Sequence, residues 1–344
     1  MRAAILILSI LLPAAASADD KPAVANAGEA GVTAEQPARP VAPPPEVKRR
    51  GSMVGYIDDA TIDDHVRVRF DAGFDNTVPD RAEFFYAQCG CNFAGAPGPG
   101  GLGAGDLVTS LNFQQLVFEG QYALKRRGAD SRIALFAAIP FRFVQPQSFL
   151  GQTFKPPLPN TFSNASGLSD LRIGGKAAVV STDDVLLTAQ IQGYFKTGDA
   201  KQGLGTDHGA VEFSLLLKQA LTDQLGLESE FGDWHPTGGS TAPTGASYSG
   251  DVLYYGVGPS YELVKTTRVT FAPVVELVGW HVLGGQQQNA GTLGSAEGTN
   301  IVNIKVGART VLDNRSSVYV GWGHALTDAV WYQSIIRVEY RYGF

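Results

Sequence analysis

The C-terminal residues 336–344 read I-R-V-E-Y-R-Y-G-F, and this stretch decides the fold. Side chains of a β-strand alternate between its two faces, so a strict two-residue period separates two surfaces. One parity is uncharged and the other charged: Ile336, Val338, Tyr340, Tyr342 and Phe344 against Arg337, Glu339 and Arg341. The pattern therefore predicts a strand with one apolar face and one ionic face.

The same alternation recurs upstream, in segments long enough to cross a bilayer at a tilt. With the last segment there are twelve, an even number, as expected for single-chain bacterial barrels. They lie near residues 64–74, 112–124, 131–143, 168–180, 184–196, 209–221, 224–234, 250–263, 268–281, 300–311, 316–325 and 332–344. We therefore predict an all-β fold, a single closed antiparallel transmembrane β-barrel.

The connections between these segments alternate in length. Short ones fall near residues 125–130, 181–183, 222–223, 264–267 and 312–315. Long Gly- and Pro-rich ones fall near residues 75–111, 144–167, 197–208, 235–249 and 282–299, and a brief last one near 326–331. Outer-membrane barrels have short periplasmic turns and long extracellular loops, so the asymmetry predicts which end faces which side.

The position of the charges distinguishes a membrane barrel from a soluble sandwich. A Lys or Arg on the lipid face at mid-bilayer costs roughly 2–4 kcal/mol, and unpaired charges in a dry core cost several kcal/mol each. The predicted inward set carries both signs: Arg67, Arg69, Glu119, Arg172, Lys176, Lys218, Glu228, Glu230, Glu276, Arg337, Glu339 and Arg341. A wet or ion-paired lumen accommodates this set.

Twelve strands enclose more space than eight, whose side chains fill the interior, and less than the sixteen to eighteen of open porins. We expect a narrow, partly blocked lumen. The residues expected to line or constrict it are Glu119, Glu276, Arg337, Glu339 and Arg341.

The chain begins with features of a secretory signal. A basic Arg2 precedes an apolar run of about ten residues, and Ala16, Ser17 and Ala18 form a small-residue cleavage signature. We predict a signal peptide over residues 1–18, an Ala/Pro-rich periplasmic linker over 19–51 and the outer-membrane barrel over 52–344. The protein is then expected in the bacterial outer membrane.

Two further groups of residues have expected positions. The acidic residues Asp58, Asp59, Asp63 and Asp64 lack the spacing of a calcium loop, and we expect them solvated at the periplasmic mouth. Aromatic residues near strand ends are expected at the headgroup layer: Tyr332, Tyr340, Tyr342, Trp280, Trp234, Tyr255 and Tyr261.

Composition and motifs exclude several functions. Of the 344 residues 41 are Gly, 17% are charged, and the net charge is -6 without a basic block, so nucleic acid is not an expected partner. The sequence has no G-x-S-x-G, no phosphate-binding loop and no His followed by Ser at the two-residue spacing of the barrel phospholipases. We therefore predict neither an enzyme nor a cofactor.

Cysteine and histidine provide weak site candidates. Cys89 and Cys91 lie in the first long loop, where a disulfide, free thiols and an intermolecular bridge all remain open. No metal site is predicted, because no further ligands lie near them. Four histidines at extracellular strand ends are a weak candidate for a metal site at the rim of the barrel: His208, His235, His281 and His324.

Short motifs within residues 167–280 carry a family resemblance. Residues 167–171 read G-L-S-D-L, residues 195–199 read F-K-T-G-D, and residues 271–276 read F-A-P-V-V-E. The chain resembles the outer-membrane phenol-degradation-pathway (MetA-pathway) transporter family, which carries a G-L-x-D-L strand start and a P-T-G-D-like loop. Lys196 stands where that family tends to have Pro.

The terminal strand, ending in Phe344, is similar to that of Gram-negative barrels and implies recognition by the barrel-assembly machinery. The expected function is passive uptake of small hydrophobic or aromatic molecules, with outer-membrane lipid and a small solute as further partners. The alternative is a structural or adhesive surface barrel, in which the lumen is plugged and the long loops act.

Overall fold

The computed structural model describes residues 51–78, 108–124, 131–149, 163–241, 245–289 and 292–344. Twelve long strands, labelled β1 to β12 in chain order, form the wall of one barrel. They are His65–Asn76, Val108–Ala123, Ile133–Phe149, Leu171–Ser181, Val185–Phe195, Gly209–Ala220, Leu225–Thr237, Val252–Tyr261, Val269–Val282, Asn300–Leu312, Ser316–Ala325 and Ser334–Gly343.

Each strand pairs antiparallel with its sequence neighbours, and β12 pairs with β1 to close the barrel. In that closing pair Arg67 lies opposite Arg341. The short strands Ala165–Leu168 and Val264–Lys265 bring the sheet to 14 strands, and a separate hairpin joins Gln286–Asn289 to Thr292–Ser295. The predicted twelve-stranded antiparallel barrel is thereby confirmed.

The largest differences from the predicted bounds occur in the hairpin of β2 and β3. β2 begins at Val108 rather than near residue 112, and β3 ends at Phe149 rather than near residue 143, so that Val108 pairs with Phe149. The sequence predicted Gly- and Pro-rich loops over residues 75–111 and 144–167. Pro146, in the second of these, cannot donate to a ladder. Register shifts between Val108 and Leu111 accommodate the proline, which lies opposite Leu111.

The barrel is apolar outside and ionic inside, as the parity of its strands predicted. In β3 the outward residues Ile133, Leu135 and Ile139 are about half exposed, whereas Ala134 and Ala138 are buried against the interior. An exterior of this kind suits acyl chains rather than water.

We call the end of the barrel with the tight connections 182–184 and 313–315 the turn end, and the opposite end the loop end. Loop 196–208 at the loop end contains a single 3-10 turn, Ala200–Gln202. Among the described residues, no helix has the length and apolar character needed to cross a membrane.

Candidate functional site

Residues 51–64, which we call the lumen segment, lie inside the barrel without pairing as a strand. The segment starts near the turn end, where Lys218 Nζ donates to the Gly51 carbonyl at 2.7 Å. It reaches the middle of the barrel at Tyr56, whose ring lies 4.2 Å from the Arg337 guanidinium carbon. It then returns to the turn end, where Asp64 directly precedes β1.

Carboxylates of the wall accept the backbone amides of this segment. Glu276 on β9 accepts from Gly55 at 3.0 Å, and its other oxygen accepts from Tyr56 at 2.8 Å and Ile57 at 2.9 Å. The Tyr319 hydroxyl also donates to Glu276, at 3.1 Å. Because Glu276 has no solvent exposure, these four donors replace the water that a carboxylate requires.

Two neighbouring carboxylates on β7 extend this pattern. Glu228 accepts from the Met53 amide at 2.7 Å, and Glu230 accepts from the Asp58 amide at 2.8 Å. Charge-assisted hydrogen bonds of this kind are stronger than bonds between neutral groups. The acidic residues of the wall thus bind the segment through its main chain.

Basic and hydroxyl groups bind the carbonyls of the segment. Arg309 donates to the carbonyls of Met53 at 3.1 Å and Val54 at 2.6 Å. Further donors lie on other strands: Arg337 donates to Gly55 at 2.6 Å, Lys176 to Asp59 at 2.7 Å and Thr188 to Ala60 at 2.7 Å.

Apolar packing completes the fit. Met53, Val54 and Ile57 are buried in one cluster with inward residues of β9 and with Tyr319. A Cβ added at Gly258 on β8 would lie 2.8 Å from Val54 Cγ1, and one at Gly256 would lie 2.9 Å from Ile57 Cγ1. These two glycines make the space that the apolar side chains fill.

The five residues predicted to line or constrict the lumen all lie on its inner face. Their exposed fractions are 9% for Glu119, 0% for Glu276, 8% for Arg337, 1% for Glu339 and 6% for Arg341. Glu119 pairs with Arg67 at 2.5 Å, and Glu339 pairs with Arg309 at 2.9 Å. The structure thus places them together. Four of them form ion pairs with residues of other strands or of the segment, and Glu276 accepts hydrogen bonds from the main chain of the segment.

The expectation that the acidic run lies solvated was wrong for Asp59 and Asp64, which are buried, whereas Asp58 and Asp63 are partly exposed. Asp59 is 2% exposed, forms an ion pair with Arg341 and accepts hydrogen bonds from Thr61. Burial alone would raise the pKa of the Asp59 carboxyl, but the charges of Arg341 and Lys176 outweigh it and hold that pKa well below its usual range. Asp64 is also buried and accepts from the Ala123 amide.

Aromatic side chains occupy the lumen above the segment, toward the loop end. Lys305 Nζ lies 4.5 Å from the Tyr56 ring and 4.3 Å from the Tyr332 ring, and donates to the Tyr332 hydroxyl at 2.7 Å. Trp280 packs against Trp331 with ring centroids 4.4 Å apart. The lumen is thus filled by aromatic rings on this side of the segment.

The predicted headgroup positions are therefore wrong for three of the seven aromatic residues. Trp234, Trp280 and Tyr332 belong to the inner apolar cluster at the loop end. The parity that turns Glu230 and Glu276 inward also turns Trp234 and Trp280 inward, four residues further along each strand. For these two tryptophans, strand parity predicts the side-chain direction better than proximity to a strand end does.

The rim histidines do not converge on one site. His208 is buried against Trp234, and His281 contacts Asn300 at 2.6 Å. His235 contacts Asp251 at 2.7 Å, while His324 stacks on Trp322. In the described parts of the chain, no group of three potential metal ligands is present. Cys89 and Cys91 lie outside the described residues.

The motif that carries the family resemblance builds a loop. Asp170, from G-L-S-D-L, accepts the amides of Thr197 at 3.1 Å and Gly198 at 3.0 Å with one oxygen. Its other oxygen accepts the Thr206 amide at 2.7 Å and the Thr206 hydroxyl at 2.9 Å. The loop is tight, because a Cβ at Gly198 would lie 2.3 Å from the Leu204 carbonyl oxygen. Both halves of the motif thus meet at one carboxylate.

The lumen segment was not predicted as a functional element. A signal for it was present, since Gly256 and Gly258 occupy the inward parity of β8 between large outward residues. Glycine within a strand marks the close approach of a ligand or another backbone. The identity of that backbone is not encoded locally.

No protein-family model matches the sequence, and no curated protein matches it. Among solved structures, the chain is similar to an outer-membrane channel from Pseudomonas putida F1, with a TM-score of 0.51 and 13% identity over 83% of this chain and 96% of that one. The β domain of the Bordetella autotransporter BrkA gives a TM-score of 0.47, with 13% identity over 82% of this chain and all of that one. At such identities the first likeness shows a shared outer-membrane barrel fold.

Proposed function

We propose that the protein is an outer-membrane channel for passive uptake of small hydrophobic or aromatic molecules, and that it belongs to the phenol-degradation-pathway transporter family. The short sequence motifs and the inward aromatic residues at the loop end support this substrate class. Trp280, Trp331 and Tyr332 are rings that carry an N–H or O–H group, and Phe113 adds a wholly apolar ring, which suits aromatic solutes.

The observation that carries the proposal is the way in which the lumen segment is held. It forms no strand pairing with the wall and is bound by side chains. The segment can therefore leave without breaking the barrel, because the closing pairs between β12 and β1 do not involve it. A twelve-stranded wall without this segment encloses a path between the two ends.

A deletion tests this function. A variant lacking residues 52–60 should fold into the same barrel and conduct ions in planar bilayers steadily, whereas the full-length protein should conduct rarely. Phenol should reduce the current of the variant more than glycerol at equal concentration, because it occupies the aromatic region. A variant that keeps its heat-modifiable mobility on gels but conducts no ions would contradict the proposal.

The loops favour a second candidate, a surface barrel that acts through its exposed hairpins. Gln286–Asn289 pairs with Thr292–Ser295, and Thr241 bridges to Ser247 in the neighbouring loop. If the protein is a surface barrel, removing these hairpins should abolish surface adhesion. If it is a channel, removing them from the variant lacking residues 52–60 should leave the conductance of that variant intact.

A further inference from the structure

The inner wall of the barrel is electrically polarised across its width. One side, formed by β10, β12, β1, β3 and β4, carries most of the basic residues: Lys305, Arg309, Arg337, Arg341, Arg67, Arg69, Arg142, Arg172 and Lys176. Asp71, Glu119 and Glu339 partly offset them. The other side, formed by β6, β7 and β9, carries Glu212, Glu228, Glu230 and Glu276, with Lys218 at its turn end.

The peptide groups of the lumen segment are oriented along this field. Amides of residues 53 and 55–58 donate to the carboxylates of the acidic side. Carbonyls of residues 53–55 and 59 accept from the cations of the basic side, while the Gly51 carbonyl accepts from Lys218. A peptide group is a dipole with a positive N–H and a negative C=O end, so both sides of the wall stabilise one orientation of the chain.

These contacts recognise main chain, which every peptide shares. The wall residues Glu276, Glu228, Arg309 and Lys176 bind atoms of the backbone and do not depend on which side chain follows. The glycines of β8 leave room for bulky apolar side chains beside that backbone. Simple ions would match the charges of the two sides but not the alternation of donors and acceptors between them.

We infer that the middle of the lumen is a binding site for a peptide backbone that bends as residues 55–57 do, which residues 51–60 occupy as an internal ligand. Short peptides with apolar side chains are the class of solute that takes their place when the segment leaves. This goes beyond the proposed function, since it adds a second class of solute, and it rests on that function because a free peptide reaches the site through the open barrel.

The test supplies the segment as a separate molecule. The variant lacking residues 52–60 is reconstituted in a planar bilayer, and an acetylated, amidated peptide G-S-M-V-G-Y-I-D-D-A is added. We expect the peptide to block the ionic current in a concentration-dependent manner. The same peptide methylated on the amide nitrogens of Gly55, Tyr56 and Ile57 keeps every side chain but loses the donors to Glu276, and should bind at least about tenfold more weakly, the equivalent of 1.4 kcal/mol.

Matched wall variants sharpen the test. In the deletion background, Glu276→Gln should weaken the block by about tenfold or more, since a charged acceptor of three amides is lost. Glu212→Gln removes a charge from the same side, but Glu212 contacts Gln192, Tyr194 and Tyr254 rather than a segment amide. Its effect on the block should be much smaller.

Calorimetric titration of the folded deletion variant in detergent measures peptide binding independently of current. A variant that folds but does not conduct would overturn the proposed function, and the titration would still decide whether the peptide binds. A conducting variant that the peptide neither blocks nor binds would overturn the peptide site. Equal binding of the native and methylated peptides would also overturn it, since the backbone would then not be recognised.

Discussion

The lumen segment and loop 196–208 both contain backbone amides that are removed from water, and their acceptors come from different parts of the chain. Both are irregular stretches of chain in which one buried carboxylate accepts three backbone amides, Glu276 in the first case and Asp170 in the second. Backbone amides removed from water require such acceptors, so the use of a carboxylate is common to both.

The two differ in where the carboxylate comes from. Asp170 lies 27 to 36 residues from the amides it binds, immediately before β4, so the loop folds as part of its own hairpin. Glu276 lies 219 to 221 residues from its amides, and the other partners of the segment come from several further strands. The loop is therefore part of the wall, whereas the segment behaves as a ligand of a completed barrel.

The largest expected effect comes from Glu276→Gln in the full-length protein. An amide group accepts with one oxygen and carries no charge, so buried segment amides are left unsatisfied at about 1–3 kcal/mol each. We expect the fraction of time spent conducting in a planar bilayer to rise at least about tenfold. Unchanged conductance in a folded variant would show that the segment is an integral part of the wall.

A side chain placed in the space that Gly258 leaves for the lumen segment should release the segment without altering any charge. In Gly258→Val the new side chain meets Val54, whose Cγ1 lies 2.8 Å from the Cβ position. Overpacking costs about 1–3 kcal/mol, so the open fraction should rise, by less than in Glu276→Gln. Gly120→Val is the matched control, because a Cβ there meets nothing within 4 Å, and it should conduct like the unmodified protein.

Acidification should weaken the segment through Asp59. Since its pKa is depressed by Arg341 and Lys176 in the docked state, its contribution is present above the ordinary aspartate pKa of about 3.9 and is lost as the pH falls below that value. We expect a constant difference in open fraction between the unmodified protein and Asp59→Asn from about pH 8 to pH 5. The difference should shrink below about pH 4. A difference that grew with acidification would refute this linkage.

The smallest effect on conductance is expected from Asp170→Asn. The substitution removes a charged acceptor of three amides, so loop 196–208 should be cleaved faster by an added protease. The current should not change, because the lumen segment has no bond to Asp170. Asp184→Asn, in a tight turn at the opposite end, serves as a control for both measurements. If Asp170→Asn conducted for a larger fraction of the time than the unmodified protein, loop 196–208 and the lumen segment would be coupled.

The barrel wall was predictable to within a few residues, because each strand carries its own two-residue period. Residues 209–220 and 316–325 match their predicted segments closely, because buried inward and exposed outward positions alternate along most of each strand. The predictions failed where a second rule competed with parity. Trp234 and Trp280 were assigned to the headgroup layer by position, although their parity already turned them inward.

By itself, the sequence determined the strand number, the closed antiparallel wall and the inward direction of Glu276, Arg337 and Arg341, because alternation is a local property of each strand. The tertiary structure alone decided what the wall encloses. An aspartate run reads as solvated until Arg341 and Lys176, more than a hundred residues away, surround Asp59. Ion pairing and main-chain binding at that separation depend on closure of the barrel, and no local pattern encodes them.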